Sequence, residues 1–143
     1  MNYYVGFEYR KRAVEGTSPV GLIVMLYGTI VASLLRAQEA IKKNDIEKRV
    51  FELNHVLRVI GQLQGTLDFE RGGEVAVHLD RFYSVMRARV MAASMRNSIE
   101  ILQELLGYFS SLKEAWQVVE RSAATGGGMP QNDNAGTPIP AAL

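Results

Sequence analysis

Pro19 is followed by no other proline until Pro130. Proline lacks a backbone N–H and clashes with the preceding helical turn, so a proline-free stretch this long can form long uninterrupted helices. Over residues 17–121 the apolar residues also lack the every-second-residue alternation of a half-buried strand. The interior is therefore predicted to be all helix.

End signals divide it into four. Thr17-Ser18-Pro19 is a hydroxyl cap followed by proline at the first helical position, where its missing N–H costs nothing. That opens a first helix running to about Lys43. Asn44-Asp45-Ile46-Glu47 has a cap residue with Glu three places on, and opens a second helix. Gly72-Gly73 is predicted to end it, because glycine readily takes the left-handed conformation that stops a helix. Glu74, an anion near a helix N-terminus, opens the third, which runs to about Met95. Asn97-Ser98-Ile99-Glu100 opens the fourth, to about Arg121. Connections this short make successive helices antiparallel. The expected fold is an all-α, antiparallel up-and-down four-helix bundle over residues 17–121. A short N-terminal capping segment (1–16) precedes it, and a Gly- and Pro-rich disordered tail (122–143) follows.

The apolar spacing fits that architecture. Helix two carries Ile46, Val50, Leu53, Leu57, Ile60 and Leu67 on one predicted inner stripe. Helix three carries Val75, Leu79, Phe82 or Tyr83, Met86 and Val90, and helix four carries Leu102, Leu106, Phe109 and Trp116. Two features exceed what a bundle needs. Val56, Val59 and Leu63 form a second stripe beside the first on helix two. In helix one, Val24, Val31 and Leu35 face away from Leu26, Ile30 and Ala37, so something besides the other helices should cover that side. A second copy could cover it as readily as the chain's own N-terminus, which leaves a homodimer open. Residues 16–35 carry no charge and follow Arg10-Lys11-Arg12, as a membrane anchor or signal sequence would. Glycines, a proline and hydroxyls dilute the run, and its stripe continues through Ala37 and Ile41. A buried helix without a membrane span is the expectation.

Little in the chain suggests catalysis. The absence of cysteine excludes disulfides, thiolate metal sites and a cysteine nucleophile. Glu52-Leu53-Asn54-His55 is a Glu-x-x-His on a bundle helix, the element of di-iron carboxylate sites. His78 has Val75 rather than Glu three places before it, however, and His55 is expected on the solvated face. No metal or cofactor is expected. Ser94, Ser98, Ser110 and Ser111 read as helix or cap serines, and Gly72-Gly73 lacks the Gly-Lys-Ser/Thr that a phosphate loop needs. With 16 Lys and Arg against 15 Asp and Glu, no overall field favours nucleic acid. Arg81, Arg87, Arg89 and Arg96 do not line up as one basic recognition face. Met86 reads as core filling, whereas Met91 and Met95 point elsewhere.

Three segments together resemble one family. Tyr9, Val14 and the run Thr17-Ser18-Pro19-Val20-Gly21-Leu22-Ile23-Val24-Met25-Leu26-Tyr27 are similar to the opening of the flagellar export chaperone FliS family. Leu67-Asp68-Phe69-Glu70-Arg71-Gly72-Gly73-Glu74-Val75-Ala76, followed by Leu79, Phe82-Tyr83, Met86 and Arg89, resembles its second-to-third helix junction. Lys113-Glu114-Ala115-Trp116 resembles its last-helix signature. The chain departs from the pattern at Gly28-Thr29, Ala93-Ser94 and Asn97-Ser98.

The resemblance implies a non-enzymatic chaperone of the bacterial cytoplasm. It would bind the disordered C-terminal segment of flagellin, prevent premature polymerisation and help delivery to the flagellar export gate. It further implies a client groove, placed here on Val56, Val59, Leu63, Tyr83 and Met86, and an N-terminal plug at Tyr9 and Val14. Ile60 and Trp116 are expected in the core. The alternative is a helical adaptor or regulator whose client is not ordinary flagellin.

Overall fold

The structure, a computed structural model, describes residues 18–124. They form four helices: α1 (Pro19–Lys42), α2 (Ile46–Gly65), α3 (Phe69–Arg96) and α4 (Ile99–Ala124). Helix α1 packs on α2 and α4, and α3 packs on the same two, so α1 and α3 are diagonal across the bundle. The direction of each neighbour is fixed by cross-helix bonds. Ser33 and Arg36 on α1 meet His55 and Glu52 on α2, so rising numbers on one helix face falling numbers on the next. Gln64 on α2 meets Asp80 on α3 while Gly61 lies beside Arg87, and Phe82 and Arg89 on α3 meet Phe109 and Glu104 on α4. The fold is the antiparallel up-and-down four-helix bundle.

Local chemistry sets the helix ends. The Ser18 hydroxyl accepts from Gly21 N at 3.0 Å ahead of Pro19, as the sequence indicates. At the starts of α2 and α4 the capping role moves one residue along. Asn44 and Asn97 take left-handed backbone conformations that close the preceding helices. Asp45 then accepts from Lys48 N at 3.1 Å, and Ser98 from Ile101 N at 3.2 Å.

The second junction differs more. Helix α2 stops at Gly65, well before Gly72-Gly73. Thr66 Oγ1 donates to Leu63 O at 2.7 Å, and Asp68 caps a new start by accepting from Arg71 N at 3.0 Å. Phe69 to Gly72 make one turn, after which Gly73 (φ 52°, ψ −125°) kinks the chain into the long part of α3. The glycine break is real, but it lies inside the third helix. A side chain at Gly73 would meet no atom within 4 Å, so Gly73→Ala is opposed by backbone strain alone. It is expected to cost about 1–3 kcal/mol in urea unfolding. Gly65→Ala, also without a neighbour within 4 Å but at a helical position, should be neutral or stabilising by up to about 1 kcal/mol.

The core runs the length of the bundle through Ile23, Tyr27, Ile30, Leu34 and Ala37 of α1, and Leu53, Val56, Ile60 and Leu63 of α2. Tyr83, Met86 and Val90 of α3 and Leu102, Phe109 and Trp116 of α4 complete it. Helix α1 is long and apolar enough to cross a membrane, yet eight of its residues, from Gly21 to Ala40, are buried in the bundle. On its far side Val24 and Val31 are partly buried against the core, and Leu35 is half exposed. Helix α2 is rotated from its expected setting. Ile46 and Val50 lie exposed, while Val56 and Leu63, expected beside the inner stripe, sit at its centre.

Candidate functional site

Two polar features interrupt the apolar interior. The first is a seam between α1 and α2. Buried Ser33 shares a hydrogen bond of 2.9 Å with His55 Nδ1, and Arg36 Nη2 donates to the same hydroxyl at 3.2 Å. Arg36 Nε donates to Glu52 Oε1 at 2.9 Å. Glu52 is 5% exposed, and its Oε2 is buried without a hydrogen-bond partner among the described residues. Residues 52 and 55 are three apart on α2, and 33 and 36 three apart on α1, so the four side chains meet on facing helix surfaces. His55 is thus half-buried in a polar contact rather than on the solvated face. The inner face of α2 is turned toward α1, which carries residues 52 and 55 in with it. The seam fixes the α1–α2 register; a buried carboxylate held by one arginine adds specificity more than stability.

The second feature lies across the bundle diagonal. The hydroxyls of Tyr27 and Tyr83 are 2.6 Å apart and fully enclosed. Phe109 stands 5.9 Å from the Tyr27 ring and 6.2 Å from Phe82, centroid to centroid. Burial, the largest influence, pushes both phenol pKa values up from the usual 10. Sequence periodicity placed Tyr83 and Trp116 on inner stripes but gave no sign that Tyr27 would meet Tyr83; that contact depends on the three-dimensional crossing of α1 and α3.

The five groove positions, Val56, Val59, Leu63, Tyr83 and Met86, are brought together, and all are buried in the common core, none more than 5% exposed. The plug positions Tyr9 and Val14 lie outside the described residues, as do residues 1–17 and 125–143 generally; residues 122–124 form the last turn of α4. Ile60 and Trp116 are core, as periodicity indicated. Met86 is core too, whereas Met91 and Met95 stand out from the surface. Among the described residues no three His, Cys, Asp or Glu side chains gather as a metal site would require.

Comparison with known proteins bears on this geometry. The family described as "Flagellar protein FliS" matches residues 2–123, the whole bundle. The flagellar secretion chaperone FliS of Campylobacter jejuni is 33% identical over 119 residues, 83% of this chain and 91% of that protein. That of Salmonella typhimurium is 32% identical over 113 residues, 78% of this chain and 84% of its own length. The flagellar secretion chaperone FliSB of Pseudomonas aeruginosa is 32% identical over 113 residues, 76% of this chain and 90% of its own.

Proposed function

This chain belongs to the FliS family of flagellar proteins, a chaperone rather than an enzyme family, and on that premise we propose that it is an export chaperone for flagellin. It binds the disordered C-terminal segment of flagellin in the bacterial cytoplasm, prevents early polymerisation and hands the client to the flagellar export apparatus. The observation that carries this reading is the family match over residues 2–123, supported by relatives named flagellar secretion chaperones.

The physical requirements agree with a bundle of this kind. An amphipathic segment that is disordered when free gives up about 2–5 kcal/mol of interaction energy on ordering. A rigid partner with long apolar surfaces offsets that loss by burying much of the segment's apolar area. No chemical step is needed, so buried polar groups such as Glu52 and the tyrosine pair serve the scaffold. In this reading the client reaches Val56, Val59, Leu63, Tyr83 and Met86 by displacing whatever lies over them. Tyr9 and Val14 are the proposed plug.

The test is calorimetric titration of the full chain with the isolated C-terminal segment of flagellin from the same organism. One-to-one binding with a large negative heat-capacity change is expected, the mark of apolar burial with coupled folding. Deleting residues 1–16 should then strengthen binding or raise the fluorescence of a hydrophobic dye. A folded helical protein that binds no flagellin segment would move the client elsewhere, toward an adaptor role. Unchanged affinity and dye signal after the deletion would remove the plug.

A further inference from the structure

The two ends of the α1–α2 hairpin are held by different material. Toward the start of α1 and the end of α2 the hairpin buries Ile23, Tyr27, Ile30, Val59, Ile60 and Leu63. Aromatic rings of α1, α3 and α4 interlock around Phe109 on that side. Across the turn end, residues 33–56, the only buried apolar side chains larger than alanine are Leu34, Leu53 and Val56. Ser33, Ala37, Ala40 and Glu52 fill the other buried positions, and Ile46, Val50 and Phe51 lie exposed. Small and polar side chains remove little apolar area from water, so this end gains less from staying closed.

Its polar groups lower the cost of opening further. Four buried side-chain polar atoms lack a hydrogen-bond partner among the described residues, and three of them, Gln38 Nε2, Arg49 Nε and Glu52 Oε2, lie in this stretch. Each has lost hydration without a replacement, and opening restores it. The Arg36–Glu52 pair acts in the same direction. Its carboxylate is 6% exposed against 48% for the arginine, and attraction offsets the desolvation of such a pair only in part. A cavity of about 140 Å3 also lies between the α1–α2 turn and Asn97, beside Ala40, Ile46 and Arg49, where packing contacts are forfeited. Arg49 Nη1 donates to Asn97 Oδ1 there, a side-chain link from the hairpin to the α3–α4 turn.

Segments with few buried apolar contacts open at lower free energy than the rest of a domain. This segment also carries a client position. Glu52, Val56, Val59 and Leu63 follow steps of four, three and four, so they share one face of α2. Freeing Glu52 and Val56 uncovers the start of the stripe that Val59 and Leu63 continue.

We propose that residues 33–56 open as a unit while the aromatic end stays closed, and that this opening is where a client enters the buried stripe of α2.

Hydrogen exchange of the full chain under native conditions, read by mass spectrometry, tests the opening. Amides of residues 37–55 should exchange at least about tenfold faster than those of residues 105–116. The double variant R36M/E52M replaces the buried pair by apolar side chains, and should slow exchange over residues 37–55 at least about fivefold. Ala115→Gly, at an exposed helical position near Trp116, should speed exchange over residues 105–116 about fivefold and leave residues 37–55 unchanged. Equal rates in the parent, or acceleration of both stretches by Ala115→Gly, would mean that the bundle opens all at once and would overturn the proposal. That comparison decides the matter even where R36M/E52M does not fold. The client's entry rests on the flagellin reading. In titrations with the flagellin C-terminal segment, R36M/E52M should bind at least about fivefold more weakly than the parent. Equal affinity would overturn the entry role. Binding by neither protein, with the exchange pattern as expected, would instead end the flagellin reading and leave the opening unit standing.

Discussion

Replacing Phe109 by alanine is expected to remove about 3–5 kcal/mol of stability, out of the roughly 5–15 kcal/mol that a domain of this kind has to lose. Phe109 is completely buried. Its ring is the meeting point of three helices, reaching Tyr27 on α1 and Phe82 on α3 from its own place on α4. Truncation loses the transfer energy of the ring and leaves a cavity. The surrounding aromatic rings are themselves held in place, Tyr27 by its bond to Tyr83, so they can relax into the space only in part. The next residue supplies the control. Tyr108 is 54% exposed, and Tyr108→Ala should change stability by no more than about 0.5–1 kcal/mol. Urea unfolding with an unchanged slope for both variants measures the difference. Similar losses at 108 and 109 would mean that the aromatic cluster is not the structural centre of the bundle.

The contrast between those adjacent residues was legible beforehand, because a 100° step separates an inward side chain from an outward one. The four helices, their order and their antiparallel arrangement were equally legible, since proline, the Ser18 cap and the short connections act locally. Errors began where a local signal had two solutions. Asn44 and Asp45 can each cap a helix, and the structure gives the left-handed position to Asn44 and the cap to Asp45. Gly72-Gly73 signals a break without saying whether it separates two helices or kinks one. The Asp68 cap that decides the matter looks like an ordinary acid in the sequence.

The rotation of α2 shows a different limit. Periodicity gave an apolar arc wide enough to hold both stripes, and left open which part of it faces in. The partner helix settles that: Ser33 and Arg36 on α1 draw Glu52 and His55 into the interface, and Ile46 and Val50 turn outward as a result. A buried Glu would be a costly placement on its own, so no scan of α2 alone would choose it. The groove positions illustrate the same point. Val56, Val59 and Leu63 are surplus to a simple stripe, but burial in a bundle and burial under a client leave the same apolar signature in sequence. Only a measurement of client binding separates the two.

The tyrosine pair leads to the steepest expected response to solution conditions. In the folded chain burial raises the pKa of both Tyr27 and Tyr83 above the ordinary value of 10. In the unfolded chain both phenols titrate near 10. Above that pH the unfolded state sheds two protons that the native state keeps, so the native state binds more protons and unfolding becomes easier as pH rises. The stability that these groups contribute is fully present below pH 10 and is lost as pH climbs toward the folded pKa values. A group contributes a slope of about 1.4 kcal/mol per pH unit while its folded form stays protonated, and the pair at most about 2.7. Against a total of about 5–15 kcal/mol, two units above pH 10 remove up to about 5 kcal/mol, the whole margin of a bundle at the low end of that range and a third at the high end. The double variant Y27F/Y83F keeps both rings and removes both hydroxyls. At pH 7 it should stay within about 1 kcal/mol of the parent, because both partners of the buried hydrogen bond are removed together. Above pH 10 its stability should fall less steeply than the parent's, by about 1.4–2.7 kcal/mol per unit. Urea unfolding of both proteins at pH 8, 9, 10, 10.5 and 11 measures the two slopes. Parallel curves would show that the two phenols are not held neutral by the core, and that alkaline loss comes from other groups.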